Sequence, residues 1–451
     1  MLAEGKLPHR IKEFHDTYGS VVRVAPDELS FIDSCAWAEI YTSRQFVRPK
    51  QWGTKPPGIK AHNLISAPQA DHLRYRKALS PAFSEKAIKL QEPIIISYVD
   101  LLIKNLHDLT HQNAKENKAD IDMVRWMSFV TFDIASDLGW GTSLKCLENR
   151  DYHPWVTIIL HYKSLIFGVF FKYYPLLDNL AGLLTPKSAR DGLELVIGIS
   201  ENNVRQRLSS VSSRPDFMSY ILSHNEQNPG QSLSEDEMVA ASMTLIVAGS
   251  DSVSTVISGA MNHLIQNQKA MTKLATEVRS SFTSEDQINS ATTKPLVYLN
   301  AVLQEALRLC PPTPDSMRRL TPEGGSLIAG HYIPENMTVG ISCYAAFTSN
   351  HNFVFPEAFI PERWLGESEG GDHDVFSKDK HDSYRPFGFG PRQCMGQMLA
   401  LLELRIILAR LLWNFDFYAP EKGPCLKWSS QKIYWAWSKE GVHVQIAPRR
   451  S

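Results

Sequence analysis

Apolar positions return every three to four residues along most of the chain from Ser80 onward, the period of helices that bury one face. Alternation of apolar and polar positions is confined to short pieces such as Ser20 to Ile32 and Ser326 to Ser342. The pattern predicts a mainly α fold with small β-sheets. Polar stretches at Thr110 to Asp120, Ser223 to Glu237, Arg279 to Lys294 and Gly366 to Ser383 read as connecting loops. None has the simplicity of a flexible linker and no internal repeat is visible, so residues 1–451 are expected to form a single domain.

One helix start is well marked. Ser234-Glu235-Asp236-Glu237 has the form of a capping box, in which the serine hydroxyl closes an early amide and the glutamate reaches back. The periodic run from Met238 to about Gln268 predicts a helix of roughly 30 residues and roughly 45 Å, long enough to cross a domain.

Composition narrows the partners. The chain has 451 residues, 43% of them hydrophobic, which allows a large core and excludes disorder. Lys and Arg total 47 against 48 Asp and Glu, a net charge of -1, without the basic footprint of a nucleic-acid binder. A small or apolar partner is expected. Cys35, Cys146, Cys310, Cys343, Cys394 and Cys425 contain no CxxC pair and follow no signal-peptide pattern, so they are expected to be reduced and intracellular, all but Cys394 as ordinary core residues. No apolar run reaches the length of a membrane-spanning helix. The most apolar stretch, Ser164 to Leu184, is broken by Lys172, Pro175 and Asp178 and reads as a buried helix plus loop, with an interfacial segment as the alternative.

The candidate chemistry gathers at Pro386-Phe387-Gly388-Phe389-Gly390-Pro391-Arg392-Gln393-Cys394-Met395-Gly396, just before the apolar helical run Gln397 to Trp413. Gly388 and Gly390 permit positive φ, so a tight loop can aim amides inward. Cys394 is then expected at a helix N-terminus, where unsatisfied N–H groups favour the thiolate. Without a second cysteine or histidine beside it, that thiolate cannot complete a zinc site, but it can be the single axial ligand of a planar cofactor. Gly396 would let the helix approach a flat macrocycle, and Arg392 could pair a carboxylate on its rim. A lone cysteine in a glycine-rich turn is ordinarily a core residue; the whole pattern F-G-x-G-x-R-x-C-x-G is not explained that way.

This segment resembles the haem-binding signature of the cytochrome P-450 family, and further motifs follow in that family's order. Tyr298 to Cys310 reads as an amphipathic helix ended by Pro311-Pro312, with Glu305 and Arg308 on one face. Alone, such a pair is a solvated ion pair worth at most about 0.5 kcal/mol. Together with Arg363 of Pro361-Glu362-Arg363-Trp364, the resemblance implies a buried triad bracing the cysteine loop, where losing one partner would strand a charge.

Ala248-Gly249-Ser250-Asp251-Ser252 on the long helix resembles the family's oxygen-activation motif. It implies Ala248 and Gly249 beside the haem, Asp251 as a proton relay and Ser252 as the alcohol that holds the oxygen. Serine stands where the family usually has threonine; it keeps the hydroxyl and lacks the methyl that restrains the rotamer. Asp71 to Arg76, ahead of Leu79-Ser80-Pro81-Ala82-Phe83, is similar to the segment whose aromatic and arginine meet the haem propionates. On that match His72, in place of the commoner tryptophan, and Arg76 would pair the propionates, joined by Arg392 and Arg319, while Phe387 would pack near the sulfur. Arg74 and Lys77 are expected on a solvated basic face able to steer an acidic redox partner. Thr313, Asp315 and Ser316 are expected at the substrate pocket, as are Met243 to Val247.

The resemblance implies the cytochrome P-450 fold, with the long central helix over the haem, and a haem-thiolate monooxygenase that inserts one oxygen atom from dioxygen into a small organic substrate. Its cofactor would be haem b, the iron held by Cys394, with NADPH electrons arriving through NADPH-cytochrome P-450 reductase. Val22 to Phe31 resembles fungal members acting in secondary metabolism, whose membrane anchor and Pro-rich hinge lie upstream. The chain is expected to start beyond both, by truncation or an atypical start, as an intracellular monomer with peripheral membrane contact, where anchored relatives sit on the endoplasmic reticulum. Two rivals are a relative that rearranges or dehydrates its substrate without net oxygen insertion and a non-catalytic haem sensor; neither needs the Asp251-Ser252 pair.

Overall fold

The computed structural model describes residues 4–449 apart from 51–52, 54, 56–57, 113–116, 162–185, 211–213 and 422, so the apolar stretch Ser164 to Leu184 lies outside the described residues. The chain folds into two compact units, one of Met1–Val47, Val99–Ser128 and Ser252–Ser451, the other of Arg48–Tyr98 and Phe129–Asp251. The elements are mainly helical with small sheets, as the sequence predicts.

The first unit holds every strand among the described residues. The alternation at Ser20 to Ile32 becomes an antiparallel hairpin of Val21–Ala25 and Glu28–Phe31, with Val21 opposite Phe31. Glu28–Phe31 runs parallel to Thr338–Ile341, which pairs antiparallel with Arg319–Leu320. A second sheet places His443–Pro448 between Ala119–Asp122 and Phe415–Tyr418. Ser326–Ile328 and His331–Ile333 form a separate small hairpin.

In the same unit the helix Val297–Leu309 packs on Gln268–Ser281, on Gln397–Asn414 and on the turn Pro361–Trp364. Its apolar side chains are buried nearly all round, so hydrophobic burial holds it in place. No side chain of its own caps its start. Glu277 of Gln268–Ser281 does so instead, accepting the Tyr298 N–H at 2.7 Å and the Leu299 N–H at 2.8 Å, and its charge complements the positive helix end.

The second unit is built of helices and loops, with no strand among its described residues. Its capping box forms as read: the Glu237 N–H donates to Ser234 Oγ at 3.3 Å and the Ser234 N–H to Glu237 Oε2 at 2.8 Å. The helix that follows, Glu235–Gln266, has 32 residues and starts and ends slightly earlier than its period predicts. By length and composition it could cross a membrane, yet 67% of its most apolar window is buried in the fold, as in a core helix.

Three expectations are corrected. Helices also precede Ser80, at Leu7–Tyr18, Ser34–Tyr41 and Gln69–Leu79, where the apolar stripes are too short to stand out. The loop read at Ser223 to Glu237 is shortened because the helix Phe217–Gln227, capped by Asp216 on the Ser219 N–H, continues into it. No disulfide joins the cysteines, but only Cys146 and Cys310 are buried; Cys35 is exposed and Cys343 and Cys425 are half-buried, so they are not all core residues.

Candidate active site

The loop before the helix Gln397–Asn414 is pinned by its own backbone. Gly388 N–H donates to Arg385 O at 2.9 Å, Gln393 N–H to Gly390 O at 3.0 Å and Cys394 N–H to Phe387 O at 2.8 Å. Gly388 and Gly390 sit at φ of 75° and 74°, as such tight turns require. At Gly390 a Cβ would also collide with the Tyr41 carbonyl, so glycine is demanded twice. Cys394 is exposed and stands two residues ahead of the helix cap, Gly396, rather than in the first turn. Gly396 has φ of -86°, which any residue adopts. Phe387 and Arg392 are half-buried in the same loop. Among the described residues no group of three or more His, Cys, Asp or Glu side chains could hold a metal ion, so a metal at Cys394 must bring its remaining ligands within a cofactor.

Glu305, Arg308 and Arg363 come together with fully buried side chains. Glu305 accepts from Arg308 Nε at 2.8 Å and Nη2 at 2.7 Å, from Arg363 Nε at 3.1 Å, from Trp364 Nε1 at 2.9 Å and from the Ile360 N–H at 2.9 Å. Burial opposes its ionisation, but the two guanidiniums and these donors outweigh it and hold its pKa below the ordinary value. Arg308 donates its other N–H groups to the carbonyls of Phe347 at 2.8 Å, Pro356 at 2.5 Å and Ala358 at 3.0 Å.

Arg363 also donates Nη1 to Asp379 Oδ2 at 2.5 Å, and Asp379 Oδ1 accepts the Val354 N–H at 2.6 Å. Two acids and two arginines therefore balance. The sequence reading missed Asp379, which lies in the stretch taken as a plain connecting loop and has no local spacing to its partner. The chain entering the cysteine loop is tied to the same helix, because Tyr384 OH donates to the Gln304 carbonyl at 2.9 Å.

Arg318 and Arg319 differ although they are adjacent. Arg318 donates to Glu28 Oε1 at 2.7 Å and to Asp315 Oδ2 at 2.9 Å. Among the described residues Arg319, 5% exposed, donates only to the carbonyls of Met317 at 3.3 Å and Arg318 at 2.8 Å, and it lies over the Tyr41 ring at 5.2 Å. Burial without a carboxylate partner among the described residues lowers its pKa. A buried guanidinium in that position fits an anion brought by a cofactor. Asp315, expected at the substrate pocket, is 2% exposed and pairs through Oδ2 with Arg318. Ser316 is buried in a bridge to Ser342, and Thr313 is half-buried.

On the long helix the open positions form one stripe. Ala248 is exposed, Thr244, Leu245, Gly249 and Ser252 are half-buried, and Asp251 is 8% exposed. Among the described residues a Cβ at Gly249 would meet only Ala135 Cβ at 3.7 Å, an ordinary contact. No described residue therefore demands that glycine; space left beside an open stripe fits a bound group. Asp251 is no solvated side chain, as its apolar surroundings predict.

In the helix Gln69–Leu79, His72 is buried and Arg76, one turn on, is half-buried. Arg74 does not belong to a solvated face: it donates to Glu237 Oε2 at 3.0 Å, to the Ser232 carbonyl at 2.9 Å and to Asp71 at 3.1 Å. Tyr75 OH adds a bond to Glu237 Oε1 at 3.0 Å. Burial works against the Glu237 carboxylate, but Arg74, the Ser234 amide and Tyr75 pull its pKa down to about 2. Lys77 does remain exposed.

The chain matches the family model Cytochrome P450 over residues 1–440. It is 38% identical over 440 residues to the cytochrome P450 monooxygenase astA of Talaromyces wortmannii, covering 96% of this chain and 86% of that protein. It is 37% identical over 445 residues to the trichothecene C-4 hydroxylase of Trichoderma arundinaceum, covering 97% and 86%. The cytochrome P450 monooxygenase astJ of Aspergillus oryzae is 36% identical over 459 residues, covering 99% and 88%. The family binds haem through a thiolate and draws electrons from a reductase. An exposed cysteine on a pinned loop and a buried arginine without a carboxylate partner among the described residues fit that group. The chain belongs to the cytochrome P450 family and is a monooxygenase of the fungal secondary-metabolism kind.

Proposed function

We propose that this chain inserts one oxygen atom from dioxygen into a small, largely apolar metabolite, using NADPH electrons delivered by a reductase partner. The observation that carries the reading is Cys394, exposed on a loop fixed by its own amide bond to Phe387. Cys394 would ligate the iron of haem b, Arg319, Arg392, His72 and Arg76 would hold the carboxylates on its rim, and Phe387 would pack near the sulfur. Bound haem supplies the activation of dioxygen, with the thiolate as electron donor.

The other residues act around it. The Glu305, Arg308, Arg363 and Asp379 cluster is charge-balanced and rigid, and it would keep the cysteine loop in one geometry. Gly249 would leave room for a diatomic molecule beside the helix. The Ser252 hydroxyl would orient the oxygen by a hydrogen bond, and the Asp251 carboxyl would give its proton towards Ser252 Oγ. The trichothecene C-4 hydroxylase among the relatives supports hydroxylation at carbon as the outcome.

Turnover with reductase, NADPH and isotopically labelled dioxygen tests this. One labelled oxygen atom per product molecule is expected. Product that forms unlabelled and without NADPH consumption would instead mark a rearranging or dehydrating enzyme.

A further inference from the structure

We infer that Lys439 is a positioning residue for Asp251, holding a fixed positive charge near that carboxyl and keeping it ready to release a proton. The inference rests on the proposed proton-donating role of Asp251. Lys439 follows the short strand Trp437–Ser438 and is half-buried, and its Nζ donates to Ser254 Oγ at 3.0 Å. Ser254 is fully buried, and its Oγ lies 3.1 Å from Ser128 Oγ of the helix Met123–Trp140. The ammonium is thus seated on a hydroxyl pair supplied by two helices, and a long flexible side chain is fixed at its tip.

Ser254 stands three residues after Asp251 on the uninterrupted helix Glu235–Gln266. Residues so spaced are neighbours on a helix surface, about 5–6 Å apart at Cβ. Between Glu237 and His263, Asp251 is the only charged side chain of this helix. Among the described residues, the acids of the neighbouring elements bond elsewhere or face solvent. Asp133 accepts the Cys146 and Leu147 amides at 2.9 and 2.8 Å, and Asp137 pairs with Arg214 at 2.6 Å and Tyr98 at 2.7 Å. Asp122 accepts the Val124 and Val442 amides, each at 3.0 Å, while Glu440 and Arg125 are exposed to solvent.

A cation one turn away favours the ionised carboxylate, and in a site screened from water the effect is on the order of one pH unit. A proton leaving Asp251 towards Ser252 is replaced from solvent; Lys439 keeps its own protons throughout and sets the acidity.

Infrared spectroscopy of the resting holoenzyme reads this without turnover. The band of the protonated Asp251 carboxyl is identified by its loss in Asp251→Asn and followed against pH. In Lys439→Met its midpoint is expected to rise by about one unit, with more peroxide released per NADPH consumed, and Lys439→Arg is expected to restore both. Ser254→Ala, which removes the hydroxyl that seats the ammonium, should move the midpoint the same way and carries the test if Lys439→Met does not fold. An unmoved midpoint in both Lys439→Met and Ser254→Ala would overturn the inference and leave Lys439 as a structural tether. If Asp251→Asn leaves product and peroxide yields unchanged, the proton-donor reading of Asp251 falls by itself, whatever the midpoint does.

Discussion

Glu305 Oε1 and Arg363 Nε lie 3.1 Å apart with both side chains fully buried, and the same arginine holds Asp379 by its far nitrogen. Each charge in this cluster depends on the others, since none meets water. Glu305→Gln leaves two guanidiniums facing one acid and is expected to cost about 3–5 kcal/mol, read as a lowered midpoint in urea unfolding. Asp379→Asn should cost a comparable amount, although nothing in the local sequence marks that residue.

Arg319 gives a prediction of opposite sign for two states of the protein. Its buried guanidinium lacks a carboxylate among the described residues, so Arg319→Met removes an uncompensated charge. The haem-free protein should be as stable as the parent or more so, while haem retention weakens. Thermal unfolding of the haem-free form and haem transfer to an acceptor protein check the two halves.

Gly249 separates in the same way. With only Ala135 Cβ at 3.7 Å, Gly249→Ala fits the protein and is expected to stabilise the helix by about 1 kcal/mol. The added methyl would occupy space proposed for a diatomic ligand, so carbon monoxide affinity of the reduced protein should fall. Equal affinity in the two proteins would show that the glycine serves another purpose.

Glu403, on the helix Gln397–Asn414 and 5% exposed, has its pKa pushed by burial from 4.5 up to about 8. The native state then holds a proton that the unfolded chain has already lost between those values. Stability is therefore expected to be full below pH 4.5, to fall as pH rises from there to about 8, and to level off beyond, by an amount on the order of a few kcal/mol. Glu403→Gln should flatten that slope in denaturant unfolding across the window.

What the sequence made legible is what local spacing encodes. The capping box of Ser234 and Glu237 lies within one turn, and so does the Glu305 and Arg308 pair, so both could be read from the chain. Arg74 could not: its carboxylate is Glu237, far along the chain, and a basic helix face without that knowledge reads as solvated. The pairing of Asp315 with Arg318 escapes the sequence because a polar residue after a helix end reads equally well as a pocket residue or as a partner three positions on. Trp364 and the Ile360 amide complete the shell of Glu305 through the tertiary path of the chain alone. The glycines were read for backbone freedom, which holds at Gly388 and Gly390; the clash of a Gly390 side chain with Tyr41 is a long-range fact.

The most direct measurement is the carbon monoxide difference spectrum of the reduced protein, whose red-shifted band requires thiolate ligation. The parent protein is predicted to show that band, and Cys394→Ala to lose it while remaining folded. The same band persisting in Cys394→Ala would contradict the assignment of Cys394 as the iron ligand.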